Sequence, residues 1–288
     1  MVLSLFLYIF FGKETIVNVF FEDIKIDNFV ASEYGLFPIS FDYNGDEDDD
    51  LAMGSETNEE YIGDSTIPLD YGSTHHGKLE FTITFGKKRC GSNEDMDISN
   101  FEMRSILREL TGKQHYRDLY FLDDKMHYDE KIHFRVKVIK TERKRICNVG
   151  VALIFTLQCD SFWGYTDYQE INYFVQNGQT INFYNTSDEL NDYLYPILEV
   201  TPTSNVSELS ITNISDNNRV TTVDNVRANE KITFDSKNEI ICSSTNGRII
   251  VNDFNLKFPR LLPGMNKLTF SDKCNVNIKY QLLRKAVF

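Results

Sequence analysis

The chain has 288 residues, enough for one large or two medium domains, each with an adequate core. Hydrophobic residues make up 41% and charged residues 25%, the balance of a soluble globular protein, and 22 Phe with 15 Tyr favour strands. A net charge of −13 argues against a nucleic-acid-binding surface, because gripping phosphates needs a basic face that releases counterions.

The first eleven residues, Met1–Phe11, read MVLSLFLYIFF. They have the apolarity of a signal h-region but no basic flank and no small-x-small cleavage site, and the run is too short to span a bilayer. An apolar strand or arm, buried in the fold or in a neighbouring subunit, is expected. Thr15 to Ile26 is strand-like. Asp42–Asp50 (DYNGDEDDD) is an acidic loop. Gly72 to Gly77 reads as a turn, and Leu79, Phe81, Ile83 and Phe85 then alternate with polar partners as in a half-buried strand.

Asp97 to Leu110 predicts the one prominent helix. Met103, Ile106, Leu107 and Leu110 form a single apolar stripe, Ser99 or Asn100 can cap the start, and Gly112 can end it. Three strands follow: Leu119–Leu122; Ile132, Phe134, Val136 and Val138; and Val149 to Leu157. Lys131, His133, Arg135 and Lys137 fall opposite the second strand's apolar face, so they predict a solvated basic stripe or a contact with an acidic face of another subunit. A hinge is expected near Cys159 to Tyr165. Gln176-Asn177-Gly178 predicts a hairpin between two strands, and Thr186 with Glu189 stands at capping-box spacing for a short helix closed by Pro196.

From Lys231 to Leu282, short apolar runs sit between turn signals. Ile232 and Phe234 lead into Asp235-Ser236-Lys237-Asn238, and Ile240 and Cys242 come back. Ile249 and Val251 follow Asn246-Gly247, and Leu268 and Phe270 follow Pro263-Gly264. Val276, Ile278, Tyr280 and Leu282 alternate with Asn275, Asn277, Lys279 and Gln281. A period of two with one apolar face means antiparallel strands, here half of a β-sandwich.

Few residues suggest chemistry. Asp42, Asn44, Asp46 and Asp48 alternate as in a calcium loop, but an EF-hand needs Gly and Glu where Glu47 and Met53 stand. His75 and His76 are adjacent and lack further ligands in view. Cys90, Cys147, Cys159, Cys242 and Cys274 show neither C-x-x-C nor metal spacing and read as reduced thiols. There is no nucleophile elbow and no phosphate-binding glycine loop. Trp163, the single Trp, is either a buried residue at the hinge or a sugar platform. No catalytic residue, cofactor or metal site is assigned.

An ordered set of elements carries a resemblance. Tyr195-Pro196-Ile197-Leu198-Glu199-Val200, Ile211-Thr212-Asn213-Ile214-Ser215, Glu230-Lys231-Ile232-Thr233-Phe234-Asp235 and the Leu261 to Asn266 Pro-Gly turn precede two closing strands. Together they resemble the C-terminal domain of phage distal tail proteins, the hubs of siphophage tail tips. Glu33-Tyr34-Gly35-Leu36, the single helix and the Cys159 to Tyr165 crossing resemble that family's N-terminal half, less closely.

The resemblance implies an all-β protein of two β-sandwich-type domains: residues 1–160, ring-forming and tube-docking, with one helix, and residues 161–288, a galectin-like sandwich. It implies an architectural virion protein without enzymatic activity, made in the host cytoplasm and placed at the tail tip. Six copies would form a ring joining the tail tube protein to the tail-tip hub and to receptor-binding or other baseplate proteins. Genome DNA would pass through the lumen without specific binding, with the Asp42–Asp50 loop facing it, and no membrane insertion is implied. The alternative is a carbohydrate- or host-surface-binding sandwich of the tail tip.

Overall fold

A computed structural model describes residues 6–11, 15–20, 22–39, 56–63, 66–74, 78–87, 97–122, 131–146, 149–161 and 163–285. The chain divides into two compact units, one of Met1–Gly164 together with Lys285–Phe288 and the other of Tyr165–Arg284. Both are built almost wholly of antiparallel strands, so the all-β expectation holds.

The first unit contains β1 (Phe6–Phe11), β2 (Thr15–Phe20), β3 (Asp23–Ile26), β4 (Phe29–Val30), β5 (Phe37–Pro38), β6 (Glu56–Glu60), β7 (Leu69–Thr74) and β8 (Glu80–Gly86). Helix α1 (Asn100–Thr111) follows, then β9 (Arg117–Leu122), β10 (Ile132–Ile146) and β11 (Val149–Cys159). One sheet runs in the order β2-β1-β8-β11-β10-β9-β3-β4, with β5 also on β8, while β6 and β7 form a two-stranded ribbon that pairs with no other strand among the described residues. The apolar start of the chain is thus a strand, Ile9 lying opposite Val17 on one side and Phe81 on the other.

Period-two alternation sets this core. Ile83 and Phe85 of β8, Phe134 and Val136 of β10, and Leu153, Phe155 and Leu157 of β11 point inward. Each such side chain contributes roughly 1.5–3 kcal/mol by leaving water. Helix α1 lays Ile106 and Leu110 on the same core, with Met103 and Leu107 at its margin, as its stripe predicts.

Ser99 caps the helix: its Oγ accepts from the Glu102 amide at 3.2 Å, while Glu102 Oε2 accepts from the Ser99 amide at 2.9 Å. Gly112 does end it, but in a right-handed conformation, φ −68°. The buried Arg117 of β9 supplies the missing donors, giving hydrogen bonds to the Glu109 and Leu110 carbonyls.

The second unit receives β12 (Trp163–Thr166) and contains β13 (Gln169–Val175), β14 (Thr180–Asn185), β15 (Ile197–Pro202), β16 (Val206–Asn213), β17 (Arg219–Val226), β18 (Ile232–Asp235) and β19 (Ile240–Ser243). Then come β20 (Gly264–Phe270), β21 (Cys274–Tyr280) and, at its end, β22 (Leu283–Lys285). One sheet has the order β13-β21-β15-β18-β19, the other β14-β20-β16-β17. Their inward residues, among them Leu198, Phe234 and Ile278 from one and Phe183, Ile211 and Phe270 from the other, share a single core.

Five local expectations are corrected. Gly72, Ser73 and Thr74 belong to β7 rather than to a turn. The turn at Gln176-Asn177-Gly178 does not close a hairpin, since β13 pairs with β21 and β14 with β20. It instead carries the chain from one sheet to the other. Gly178 adopts φ +69° there and its amide donates to the Phe270 carbonyl at 2.9 Å, which fixes the crossing.

Thr186 to Tyr195 forms no helix. Asn185 Oδ1 accepts from the Ser187 amide and Glu189 Oε1 from the Asn191 amide, so side-chain acceptors take donors that a helix would have used. Ile249 and Val251 are exposed on either side of the buried Ile250, in one turn of 3-10 helix over Ile250–Asp253 rather than a strand. Finally, the stretch after Lys231 is not half of a sandwich within one sheet: β18, β19 and β21 lie in one sheet and β20 in the other.

Candidate functional site

The basic stripe on β10 is largely engaged within the chain. His133 is buried, with Nε2 3.8 Å from Asp118 Oδ1 and its ring 5.0 Å from that of Tyr120. Arg135 Nη1 lies 3.4 Å from Asp160 Oδ2. Lys137 Nζ sits 4.5 Å above the Tyr116 ring, whose hydroxyl accepts from Lys78 Nζ at 2.6 Å. That hydrogen bond holds the Lys78 pKa above its ordinary value. The expectation of a uniformly solvated stripe fails because β9 packs alongside, placing Asp118 directly across from Arg135.

Trp163 is 8% exposed, so it offers no open platform for a sugar ring. Burial pushes the Cys159 thiol well above its usual pKa and Cys274 up to about 12, which makes both inert hydrophobes. Cys242 is exposed. The Asp42–Asp50 loop, His75, His76, Cys90 and Cys147 lie outside the described residues. Among the described residues no group of His, Cys, Asp and Glu could hold a metal ion, and no helix is long and apolar enough to cross a membrane.

Two ribbons of the first unit present mixed surfaces. On β6, β7 and their connection, Tyr61, Ile62, Ile67, Leu69 and Tyr71 are all exposed, Ile67 at 77%. Glu59 stands opposite Asp70, and the Tyr71 hydroxyl donates to Glu60 Oε2 at 3.3 Å, so the ribbon is both apolar and acidic. The far end of β10 and β11 has the opposite sign. Ile146 and Val149 are exposed there beside Lys144 and Arg145, while further back along β10 Lys140 Nζ pairs with Glu142 Oε1 at 3.1 Å. Arg143 turns back from the same strand. It donates to Asn100 Oδ1 at 3.0 Å and to the Ile98 carbonyl at 2.6 Å, holding the start of α1.

In the second unit the residues that carry the family resemblance form structural networks. Asn266 is fully buried: its Oδ1 accepts from the Leu262 amide at 2.8 Å and from Asn213 Nδ2 at 3.1 Å. Its Nδ2 donates to the Leu262 and Gly264 carbonyls. Glu230 accepts from the Arg227 amide and the Ser243 hydroxyl, and Arg248 Nη1 lies 2.7 Å from Glu230 Oε2. Asp216 takes two hydrogen bonds from Arg260, whose guanidinium stacks 3.9 Å above the Tyr193 ring. The resemblance singled out Asn213, Glu230 and Asn266, while Asp216, Arg248, Arg260 and Tyr193 were not read from the sequence; the chemistry of all of them is that of turn clamps.

The outer face of the β14-β20 pair is the most open aromatic surface of this unit. Tyr184, 62% exposed, stands opposite Met265, with Asn182 opposite Lys267 one step along.

Comparison with known proteins agrees with this architecture. A family model described as "Phage tail protein N-terminal domain" matches residues 20–161, and one described as "Phage tail C-terminal domain" matches residues 163–280. A search of curated proteins finds no match.

Among solved structures, the chain resembles the Dit protein of phage SPP1, described as a paradigm of the hub adsorption apparatus in phages infecting Gram-positive bacteria. The TM-score is 0.64 at 11% identity, covering 90% of this chain and 98% of that one. Two structures of the phage p2 baseplate in its activated conformation, with Ca and with Sr, give TM-scores of 0.43 and 0.46, each at 11% identity. They cover 90% and 93% of this chain and 98% and 99% of theirs. The SPP1 likeness shows a shared fold, the Dit-like fold that the sequence resemblance implied. With both family models together spanning most of its length, the chain belongs to the phage tail protein family, a structural component of the virion tail.

Proposed function

We propose that this chain is a distal tail protein, the hub between tail tube and tail tip. Residues 1–160 assemble as a ring of six copies and dock on the last ring of tube protein. Residues 161–288, a galectin-like sandwich, carry the tail-tip hub and the receptor-binding or other baseplate proteins. The function is architectural: the chain binds its neighbours and catalyses nothing. The observation that carries this reading is the combination of family membership along the chain with an SPP1 Dit-like fold over nearly the full length of both proteins.

An apolar strand such as β1, in a chain that must remain soluble before assembly, is best kept in a sheet and then covered by neighbours. The turns of the second unit that carry the resemblance are held by buried hydrogen-bond networks, and such rigidity suits an attachment platform. Native mass spectrometry with negative-stain imaging of the purified chain tests the proposal. A hexamer, or two stacked hexamers, with a central hole is the expected result, and a monomer that also fails to ring on purified tail tubes overturns it.

A second reading, glycan binding by the second unit, draws on Tyr184 with its Asn182 and Lys267 neighbours. Aromatic faces flanked by hydrogen-bonding side chains suit sugar rings. Binding on a glycan array that Tyr184→Ala removes would favour it.

A further inference from the structure

The sequence holds three Asn-Gly pairs. Asn177-Gly178 and Asn246-Gly247 are among the described residues, and Asn44-Gly45 lies outside them. In such a pair the glycine nitrogen has no Cβ beside it, so it can reach the carbonyl carbon of the Asn side chain. What decides between two pairs of the same sequence is how each backbone nitrogen is held.

In most respects the two sites agree. Both Asn residues are exposed. Both glycines are left-handed, φ +69° at Gly178 and +75° at Gly247, and an added Cβ at either would meet no atom within 4 Å. The difference lies in the hydrogen bonds. The Gly178 amide donates to the Phe270 carbonyl at 2.9 Å. Its turn is closed twice more, by the Gln179 amide on the Gln176 carbonyl at 3.0 Å and the Gln176 amide on Gln179 Oε1 at 2.8 Å. Among the described residues neither the Gly247 amide nor the Asn246 side chain has a hydrogen-bond partner. One long bond closes that turn, from the Arg248 amide to the Thr245 carbonyl at 3.3 Å.

We propose that Asn246 is a site of spontaneous deamidation, while the sheet crossing protects Asn177. The Gly247 nitrogen gives up its proton to water and attacks Asn246 Cγ. The bond from Cγ to the side-chain nitrogen breaks, and that nitrogen leaves as ammonia. The product is a cyclic imide, which water opens at either carbonyl to give aspartate or isoaspartate. One water is consumed, one ammonia is released, and nothing is oxidised or reduced. At Asn177 the same attack must first break the bond between Gly178 and Phe270.

The residue after the pair gives the site its consequence. Arg248 donates to the Asp224 carbonyl at 2.6 Å and to Asp253 Oδ2 at 2.9 Å, and its Nη1 lies 2.7 Å from Oε2 of the buried Glu230. Ile250, just beyond, sits in the core. Conversion adds a carboxylate two residues from this guanidinium, where it competes with Glu230 and Asp253. In the isoaspartyl form it also adds a main-chain carbon inside the turn, which strains the Thr245–Arg248 bond. A virion protein is not replaced once the particle has left its host, so the conversion accumulates with the age of the particle.

The test incubates the full chain at mildly alkaline pH. Peptide mapping by mass spectrometry reads a gain of about one dalton at each converted Asn, and isoaspartyl methyltransferase labelling identifies the isomer. In the folded chain Asn246 is expected to convert roughly tenfold faster than Asn177, the rate equivalent of one hydrogen bond. In urea the two rates are expected to converge. Asn246→Gln, whose longer side chain closes the ring far less readily, keeps the fold by circular dichroism and loses the signal at this position. The converted chain, separated by anion exchange, is expected to unfold at lower urea than the unconverted one.

An Asn246 that converts no faster than Asn177 in the folded chain overturns the proposal. So does a difference that persists unchanged in urea, because it would then belong to the flanking sequence and not to the fold. A converted chain as stable as the unconverted one overturns the link to Arg248.

Discussion

Asn213 and Asn266 lie far apart in sequence and share a hydrogen bond, Asn213 Nδ2 donating to Asn266 Oδ1 at 3.1 Å. Through it the Ile211-Thr212-Asn213 strand end and the Leu262-Pro263-Gly264-Met265-Asn266 turn are one physical object. Gly264, at φ +81°, lets the chain fold back over the Asn266 side chain, and Asn213 Nδ2 also donates to the Arg260 carbonyl. The motif that marks the family therefore marks a buried clamp between β16 and the start of β20.

That clamp gives the first prediction. Asn266→Ala leaves the Leu262 amide and the Leu262 and Gly264 carbonyls short of partners in a site without solvent. The cost is about 2–4 kcal/mol in the second unit. Asn266→Asp keeps the two accepting interactions but sets a buried carboxylate oxygen against the Leu262 and Gly264 carbonyls, so at neutral pH it should cost at least as much as Ala. Urea unfolding followed by near-ultraviolet signals checks the order; an alanine variant as stable as wild type would falsify the clamp.

Glu230 gives a prediction about acid. Burial pushes its carboxyl pKa up, but the Arg227 amide, the Ser243 hydroxyl and the Arg248 guanidinium outweigh that and bring it to about 2 from an ordinary 4.5. A depressed carboxylate contributes stability above its unfolded pKa and loses it as pH falls through the folded one. The contribution, on the order of 3 kcal/mol, is therefore complete above about pH 5 and lost between about 4.5 and 2. Glu230→Gln should lower stability at pH 7 and flatten that acid limb. Denaturant titrations at several pH values decide it, and parallel curves for the two chains would refute the assignment.

Much of this fold was legible because alternation reports a buried face directly. Ile83 and Phe85, Val276 and Ile278, and the α1 stripe all lie where their periods place them. The failures have a common cause: periodicity is local, while pairing is not. Gln176-Asn177-Gly178 has hairpin chemistry, yet nothing in those residues says that Gly178 will bind the Phe270 carbonyl and switch sheets. Ile249 and Val251 alternate as a strand would, but it is the residue between them, Ile250, that is buried. His133 sat in a basic run, and only the packing of β9 shows that it is interior. For the candidate surfaces, the sequence reading put the basic stripe at Lys131 to Lys137 and passed over Lys144 and Arg145, whose exposure depends on where the β10-β11 hairpin turns. The apolar side of the β6-β7 ribbon was equally invisible without knowing that, among the described residues, no further strand pairs with the ribbon.

The start of α1 is open to a direct test. Ser99→Ala removes the acceptor for the Glu102 amide and should cost about 1 kcal/mol, while Ser99→Gly, free of the methyl's bias, costs less. Glu102 itself is held to about 2 by Lys87, then by Ser99. Its side chain is 41% exposed, so solvent screening reduces its linkage to a few tenths of a kcal/mol, lost as pH falls from about 4.5 to 2. Amide exchange over Phe101–Arg104 reads the fraying, and unchanged protection in Ser99→Ala would count against the cap.

Gly150 supports the same helix from below. A Cβ there would stand 2.1 Å from Arg143 Nε and 2.2 Å from Nη2, so Gly150→Ala must displace the guanidinium. Arg143 is flexible at its tip, but moving it breaks its bonds to the Ile98 carbonyl and Asn100 Oδ1. The Gly150 amide also donates to Asp97 Oδ1 at 3.0 Å, and its carbonyl accepts from the Ile98 amide at 2.8 Å, so the lead-in to α1 is anchored at this one residue. Gly150→Ala should therefore cost about 1–2 kcal/mol and loosen α1 before the sheet. In the Arg143→Ala background, where the obstructing group is gone, the same substitution should cost clearly less. A double-mutant cycle on unfolding free energies checks this coupling. Additive losses would mean that the added methyl strains the β10-β11 ladder itself and that Arg143 has no part in it.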